Sequence, residues 1–231
     1  MKKMLALTVA VLILFSSAAL ADEIRFLGIP WLSSVETVTE KMAEMLPGEA
    51  PEGSFDTDCY VDRTWFTGGD GLDHVPVYML EYNGLYDVAG MKVDRVRLWF
   101  VPEGAGGTFS GERTEGYMLV HAEYHFLEEE DTSLREECRR LAEKLKSIYG
   151  EPAASLEGGA AGDNYGADYD GCLWESGNDT LVRLYYTSTS YRNGGTDRSL
   201  TISYGYGSRE FFAEKTGLAP GEADVGPVNG L

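Results

Sequence analysis

Residues 121–125 read His-Ala-Glu-Tyr-His and bring together side chains that can bind a metal ion or transfer a proton. In a β-strand alternate residues point to the same side, so His121, Glu123 and His125 would share one face, with successive Cα atoms about 7 Å apart. His121 and Glu123 are of zinc-ligand type, but a third ligand would have to come from another strand. This pattern predicts a metal-binding protein or metal-dependent hydrolase as an alternative function. The simpler interpretation is a solvent-facing side of a sheet.

Residues 163–171, ahead of the third cysteine, are rich in aspartate and suggest a calcium-binding loop. The spacing of an EF-hand loop fails there, because Gly166 and Gly177 would occupy the two ends of the loop, where carboxylates are required. A looser site stays open, formed by Asp163, Asp168 and Asp170.

Nucleophilic catalysis finds little support in the sequence. Ser110 lacks the Gly-x-Ser-x-Gly spacing that presents a serine on a sharp turn. The chain has only three histidines to act as a base for serine or cysteine. Cys138 falls on the apolar stripe of a predicted helix, where burial opposes formation of the thiolate. We therefore expect no catalytic residues, no cofactor and a protein that is not an enzyme.

The three cysteines, Cys59, Cys138 and Cys172, are too few and too scattered for a disulfide scaffold. An exported chain could form one bridge. Cys59 and Cys172 begin predicted strands on either side of the second helix, which favours a bridge between them. The other pairings, and three free thiols, stay open.

Hydrophobic periodicity predicts two main helices. The first spans about 34–46, and Ser33 with Glu36 fits a capping box. The second follows Ser133, carries apolar residues at steps of three and four, and ends at Gly150.

Alternating or apolar runs predict seven strands, and the Gly-rich or Asp-rich segments 47–58 and 157–171 are interpreted as loops. The strands are placed at about 59–66, 75–82, 92–101, 117–127, 172–175, 181–187 and 199–206. Strands follow one another without a helix between them, so we predict an α+β fold, an antiparallel sheet with the two helices packed on one face. The two Ser-x-x-Glu helix starts leave open a duplicated helix-plus-strands unit.

One side of the predicted sheet is rich in arginine and aromatic residues, the types that dominate protein interfaces. We predict this side as a partner surface, composed of Arg95, Arg97, Trp99, His121, Glu123, His125, Arg183 and Tyr185. The leading functional hypothesis is a non-catalytic binding or adaptor module for an unknown protein partner.

Residues 1–21 have the pattern of a signal peptide, with Lys2 and Lys3, an apolar run and a small-residue end. The expected product is exported to a periplasm or the cell exterior, without a membrane span. It comprises one domain at 22–206 and a mostly irregular tail at 207–231. The formal net charge of -19 argues against a nucleic-acid partner.

A capped helix preceded by a turn at 28–35, and a second helix ending Tyr149-Gly150-Glu151-Pro152 ahead of Trp174, are features shared with a known group. In these features the chain resembles small exported bacterial α+β domains of the BamE-like and β-lactamase-inhibitor-like type. The resemblance implies a binding or assembly module that uses one sheet face. The chain departs from the BamE-like pattern because it has no cysteine near the predicted cleavage point.

Overall fold

The computed structural model describes residues 24–56, 77–102, 114–128, 133–162, 165–176 and 179–207. Within these ranges the chain forms two helices and eight strands. In chain order they are α1 (Val35–Met45), β1 (Glu52–Asp56), β2 (Val77–Val88), β3 (Met91–Pro102), β4 (Tyr117–Phe126), α2 (Leu134–Tyr149), β5 (Ala154–Gly162), β6 (Tyr165–Glu175), β7 (Thr180–Tyr191) and β8 (Thr196–Tyr206).

All eight strands belong to one antiparallel sheet with the order β1-β2-β3-β4-β8-β7-β6-β5. Each helix is followed by four strands that form a meander. The last strands of the two meanders, β4 and β8, pair in the middle of the sheet. The register of this central pair sets Glu123 opposite Ser203.

The predicted α+β fold class is wrong. In the described residues 57% lie in strands and 19% in helices, so the fold is sheet-rich rather than a balanced α+β fold. Two segments interpreted as loops are partly or wholly strand: β1 occupies the end of the first, and β5 with β6 occupies most of the second. Their glycine and aspartate content disfavours strands as a local preference, but tertiary pairing overrides it.

Close packing explains why glycine occurs inside these strands. A Cβ atom at Gly171 of β6 would overlap the backbone of Leu184 on β7, and one at Gly158 of β5 would overlap the ring of Tyr169. A glycine in a strand marks such close approach as readily as it marks a turn. The glycine content of residues 157–171 therefore reflects close packing between strands and does not indicate a loop.

The two helices begin and end close to their predicted limits. In α1 the capping side chain is Ser34 rather than Ser33, because the Thr37 backbone N–H donates to Ser34 Oγ at 3.3 Å. Ser133 precedes α2 but makes no side-chain capping bond. None of the helices in the described ranges is long and apolar enough to cross a membrane.

One face of the sheet carries the main core. Residues such as Val96, Leu98 and Phe100 on β3 point to this side, and both helices bury their apolar stripes in the same cluster, with Met42 from α1 and Leu141 from α2. We call this side the helix face, and the opposite side the outer face.

Hydrogen bonds link the turn ahead of α1 to strands β4 and β7. The Ile24 backbone N–H donates to Thr180 Oγ1 at 2.8 Å, and Leu32 N–H donates to the Leu119 carbonyl at 3.0 Å. Trp31 Nε1 donates to the Ile24 carbonyl at 2.6 Å and closes the turn. These contacts give the turn a structural role at the start of the domain.

Several predicted features lie outside the described residues, and their predictions stand as made. They are the signal peptide at 1–21, the strand at 59–66, Cys59, and the tail from 208 onward.

Candidate functional site

All eight residues of the predicted partner surface lie on three strands and point to the outer face. Their neighbours in sequence, including Val96, Leu98, Tyr124 and Leu184, belong to the core on the helix face. Strand alternation then directs the polar residues between them to the other side. The structure thus brings together side chains that are up to 90 positions apart in the chain.

Strand pairing arranges the outer face in three rows that cross five strands. The Trp99 row consists of Met79, Trp99, His121, Gly205 and Leu181. The Arg97 row consists of Glu81, Arg97, Glu123, Ser203 and Arg183. The Arg95 row consists of Asn83, Arg95, His125, Thr201 and Tyr185.

The Trp99 row is buried, contrary to the prediction that Trp99 and His121 are surface residues. Trp99 is 4% exposed and His121 is 2% exposed, with their ring centroids 4.8 Å apart in an edge-to-face contact. Trp99 belongs to a second, smaller apolar cluster on this face, formed with Val77, Val101, Val120 and Leu181. A bulge at Val120 shifts the register between Trp99 and Phe100 and turns Val120 into this cluster.

Burial determines the charge state of His121. Loss of solvation lowers the pKa of His121 to about 4; Glu123 opposes this shift, while Arg183 and His125 reinforce it. The imidazole is therefore neutral near pH 7. This ring is a core side chain in the described structure.

Both glutamates of the Arg97 row form ion pairs on the outer face. Arg97 Nε donates to Glu81, and His125 Nε2 lies 3.2 Å from the Glu123 carboxylate. The Ser203 hydroxyl donates to Glu123 at 3.5 Å. Burial would raise the pKa of Glu123, but the hydrogen bond and charge of His125, with further favourable charges, more than offset it and lower that pKa.

Two arginines of the outer face have no carboxylate partner in the described part of the chain. The Arg183 guanidinium stacks over the Tyr185 ring, 4.2 Å from its centroid. Arg95 Nε is buried without a hydrogen-bond partner there. Both side chains are half-buried, as is Tyr185.

Within these three rows the central strand β8 contributes only small side chains, namely Thr201, Ser203 and Gly205, while Asp197 lies on the same face near the start of the strand. Longer side chains flank them, from Glu123 and His125 on β4 and from Arg183 and Tyr185 on β7. The result is a shallow polar trough along β8. Its two hydroxyl residues are buried, at 9% exposure for Thr201 and 8% for Ser203.

Metal binding has no geometric support in the described residues, which contain no group of three or more His, Cys, Asp or Glu side chains placed to hold an ion. The third histidine, His74, lies outside them. The looser calcium site is not assembled either: Asp168 and Asp170 lie on β6, and Asp170 contacts Arg135 at 3.5 Å. Asp163 lies outside the described residues.

The two cysteines that the structure describes occupy core-side positions. Cys138 on α2 is buried, and burial raises its thiol pKa to about 12, with further contributions from nearby Asp170 and Cys172. Cys172 on β6 is a half-buried free thiol. Its predicted partner Cys59 lies outside the described residues, so the bridge stays a prediction.

Glu81 and the trough residues of β8 were missed as site residues in the sequence. A signal for the arrangement was present: Val96–Phe100 reads Val-Arg-Leu-Trp-Phe and Val182–Tyr186 reads Val-Arg-Leu-Tyr-Tyr. These segments occupy the third strand of each meander and place Arg97 and Arg183 in one row.

Comparison of the chain with protein-family models, with curated proteins and with solved structures found no match.

Proposed function

We propose that this chain is an exported, non-catalytic module that binds a protein partner through the outer face. The observation that carries the proposal is the half-buried group of charged and aromatic side chains in two adjacent rows, on the side of the sheet away from α1 and α2. It comprises Arg95, Arg97, Glu123, His125, Arg183 and Tyr185. Export rests on the signal-peptide pattern of residues 1–21.

The size and composition of this face suit a protein partner. Five strands at about 4.8 Å spacing are about 24 Å wide and about 33 Å long, which gives a face of roughly 800 Å². One side of a stable protein interface buries about 800 Å². Arginine and tyrosine supply most interface hot spots, because they combine a flat contact surface with hydrogen bonding. The formal net charge of -19 disfavours nucleic acid.

The metal-binding alternative has no observation in its favour among the described residues. His121 is buried against Trp99, and Glu123 is engaged by His125 and Ser203. A metal site would require ligands from residues that the structure does not describe. We therefore retain the binding module as the single proposed function.

Site-specific photo-crosslinking in the source cells tests the proposal. A photoreactive phenylalanine analogue replaces Tyr185 on the outer face or, as a matched control, Ile148 on α2, which is 37% exposed. We expect a discrete crosslinked protein from position 185 and none of the same mass from position 148. The same product from both positions, or none from position 185, would contradict the proposal.

A further inference from the structure

The basic side chains of the described residues fall into two groups, those that pair with a carboxylate and those that do not. The protein has 38 acidic and 19 Lys and Arg residues, so carboxylates are plentiful. Away from the outer face, described basic groups pair with them, as Lys41 does with Glu44 at 3.1 Å and Arg198 with Glu128 at 3.2 Å, and on the outer face itself Lys92 pairs with Asp87. On the outer face Arg95 and Arg183 have no such partner among the described residues. A guanidinium that lacks a carboxylate partner in so acidic a chain is a candidate group for binding an external ligand.

Arg183 is held in a geometry that suits a carboxylate ligand. Its planar group stacks on the Tyr185 ring and also hydrogen-bonds with the Tyr185 side chain, which fixes the plane and uses only part of its five N–H groups. A guanidinium with a fixed plane binds a carboxylate through two parallel hydrogen bonds. Arg183 is paired in the register with Ser203, whose small side chain is 8% exposed.

Arg95 lies in the adjacent row, on β3. Its half-buried side chain has a buried Nε–H without a hydrogen-bond partner in the described part of the chain. An unmade bond at a buried charged donor is costly. An external carboxylate cannot reach this solvent-inaccessible Nε–H and would contact Arg95 only at the exposed part of its half-buried side chain. Arg95 acts on Glu81 through its charge but forms no ion-pair contact with it, because Glu81 is bound by Arg97, and Glu123 lies against His125.

The overall charge restricts the identity of the ligand. A polyanion such as nucleic acid carries a dense charge and would be repelled by a chain with a net charge of -19. A short protein segment with a few carboxylates meets only the local field, which is screened beyond about 8 Å at physiological salt. A segment lying along β8 would have Arg95, on the β3 side, at one flank and Arg183, on β7, at the other.

We infer that the outer face recognises an acidic segment of its protein partner, with carboxylates bound by Arg183 and Arg95 above the β8 trough. This inference rests on the proposed function and specifies the chemistry of the partner. Arg97 is a secondary contact, because Glu81 already occupies it.

Fluorescence anisotropy with synthetic peptides tests the inference. The probe is a fluorescein-labelled hexaglutamate peptide, and hexaglutamine is the uncharged control. We expect the protein to bind hexaglutamate and not hexaglutamine, with at least fivefold weaker binding for Arg183→Gln and for Arg95→Gln. Arg198→Gln removes one positive charge on the helix side and should change binding less than twofold.

Absence of hexaglutamate binding, or an equal loss in Arg198→Gln, would overturn the inference. Circular dichroism of each variant establishes that the fold is retained, and Arg183→Lys provides a second variant that keeps the charge but loses the planar group. The failure of the proposed function is distinguishable: a discrete crosslink from position 185 that excess hexaglutamate does not compete would retain the binding module and reject the acidic ligand.

Discussion

The third strands of the two meanders carry nearly the same five residues in different surroundings. Val96–Phe100 on β3 and Val182–Tyr186 on β7 both direct valine, leucine and an aromatic ring into the core, and arginine and an aromatic ring to the outer face. The arginines stand in one row, on either side of the central pair Glu123 and Ser203. The strand pattern thus determines direction in both halves.

The outcomes differ because the neighbouring strands differ. β2 places Glu81 beside Arg97, and the two form an ion pair, whereas β6 places Leu173 beside Arg183. Trp99 is buried in the second apolar cluster, while Tyr185 stays half-buried under the Arg183 guanidinium. Arg97 and Trp99 on β3 are therefore satisfied within the fold, whereas β7 presents Arg183 and Tyr185. The role of a strand residue therefore depends on its cross-strand partner as much as on its own type.

The largest expected difference between the two strands is in packing. Trp99→Ala should lower the free energy of unfolding by about 3–5 kcal/mol, the usual cost of removing a large buried aromatic side chain. Tyr185→Ala should cost about 1 kcal/mol, because much of its surface already contacts solvent. Urea denaturation followed by circular dichroism measures both. Similar losses for the two variants would mean that the halves do not differ in burial.

The residues opposite these two aromatic rings should differ in their effect on stability at acid pH. His121 lies opposite Trp99, and Thr201 lies opposite Tyr185. The pKa of His121 falls from an ordinary 6.5 to about 4 in the fold, so the unfolded chain binds more protons between these values. Stability should then fall by up to about 3 kcal/mol as the pH decreases from about 6.5 to 4.

The variant His121→Thr tests whether His121 causes this pH dependence. The threonine gives β4 the residue type that β8 places opposite Tyr185, at Thr201. Its unfolding free energy should lose less over the same pH range than that of the parent protein, although its stability at pH 7 should be lower. Glu123, whose pKa is also lowered, adds a loss at still lower pH that the variant retains. An unchanged slope between pH 6.5 and 4 would show that another group titrates there.

The sequence predicted the direction of the outer-face residues well and their environment poorly. Period-two alternation in 92–101 and 181–187 is a local property, so the shared face of Arg97, Glu123 and Arg183 could be predicted. The burial of Trp99 could not, because it depends on Val77, Val120 and Leu181 from three other strands. The ion pair of Arg97 likewise depends on the register of β2, which no local pattern specifies.

The extent of the sheet was underestimated for a related physical reason. Residues 157–171 have the composition of a loop, yet β5 and β6 pair along their whole length in the described residues. Glycine there leaves room for a ring or a neighbouring backbone, which is a tertiary requirement invisible to propensity. The helices, by contrast, could be placed closely, since their apolar stripes and end signals lie within one continuous segment.

The smallest expected effect is the coupling of each arginine to its neighbour on the outer strand. A double-mutant cycle with Arg97→Gln and Glu81→Gln should give a coupling of about 0.5–1 kcal/mol, the range of a partly exposed ion pair. The matching cycle with Arg183→Gln and Leu173→Ala should give a coupling near zero. In 1 M salt the first coupling should shrink, because ions screen the exposed part of the pair. Equal couplings in both cycles would remove the distinction between a satisfied and an available arginine, and with it the basis for an acidic ligand at Arg183.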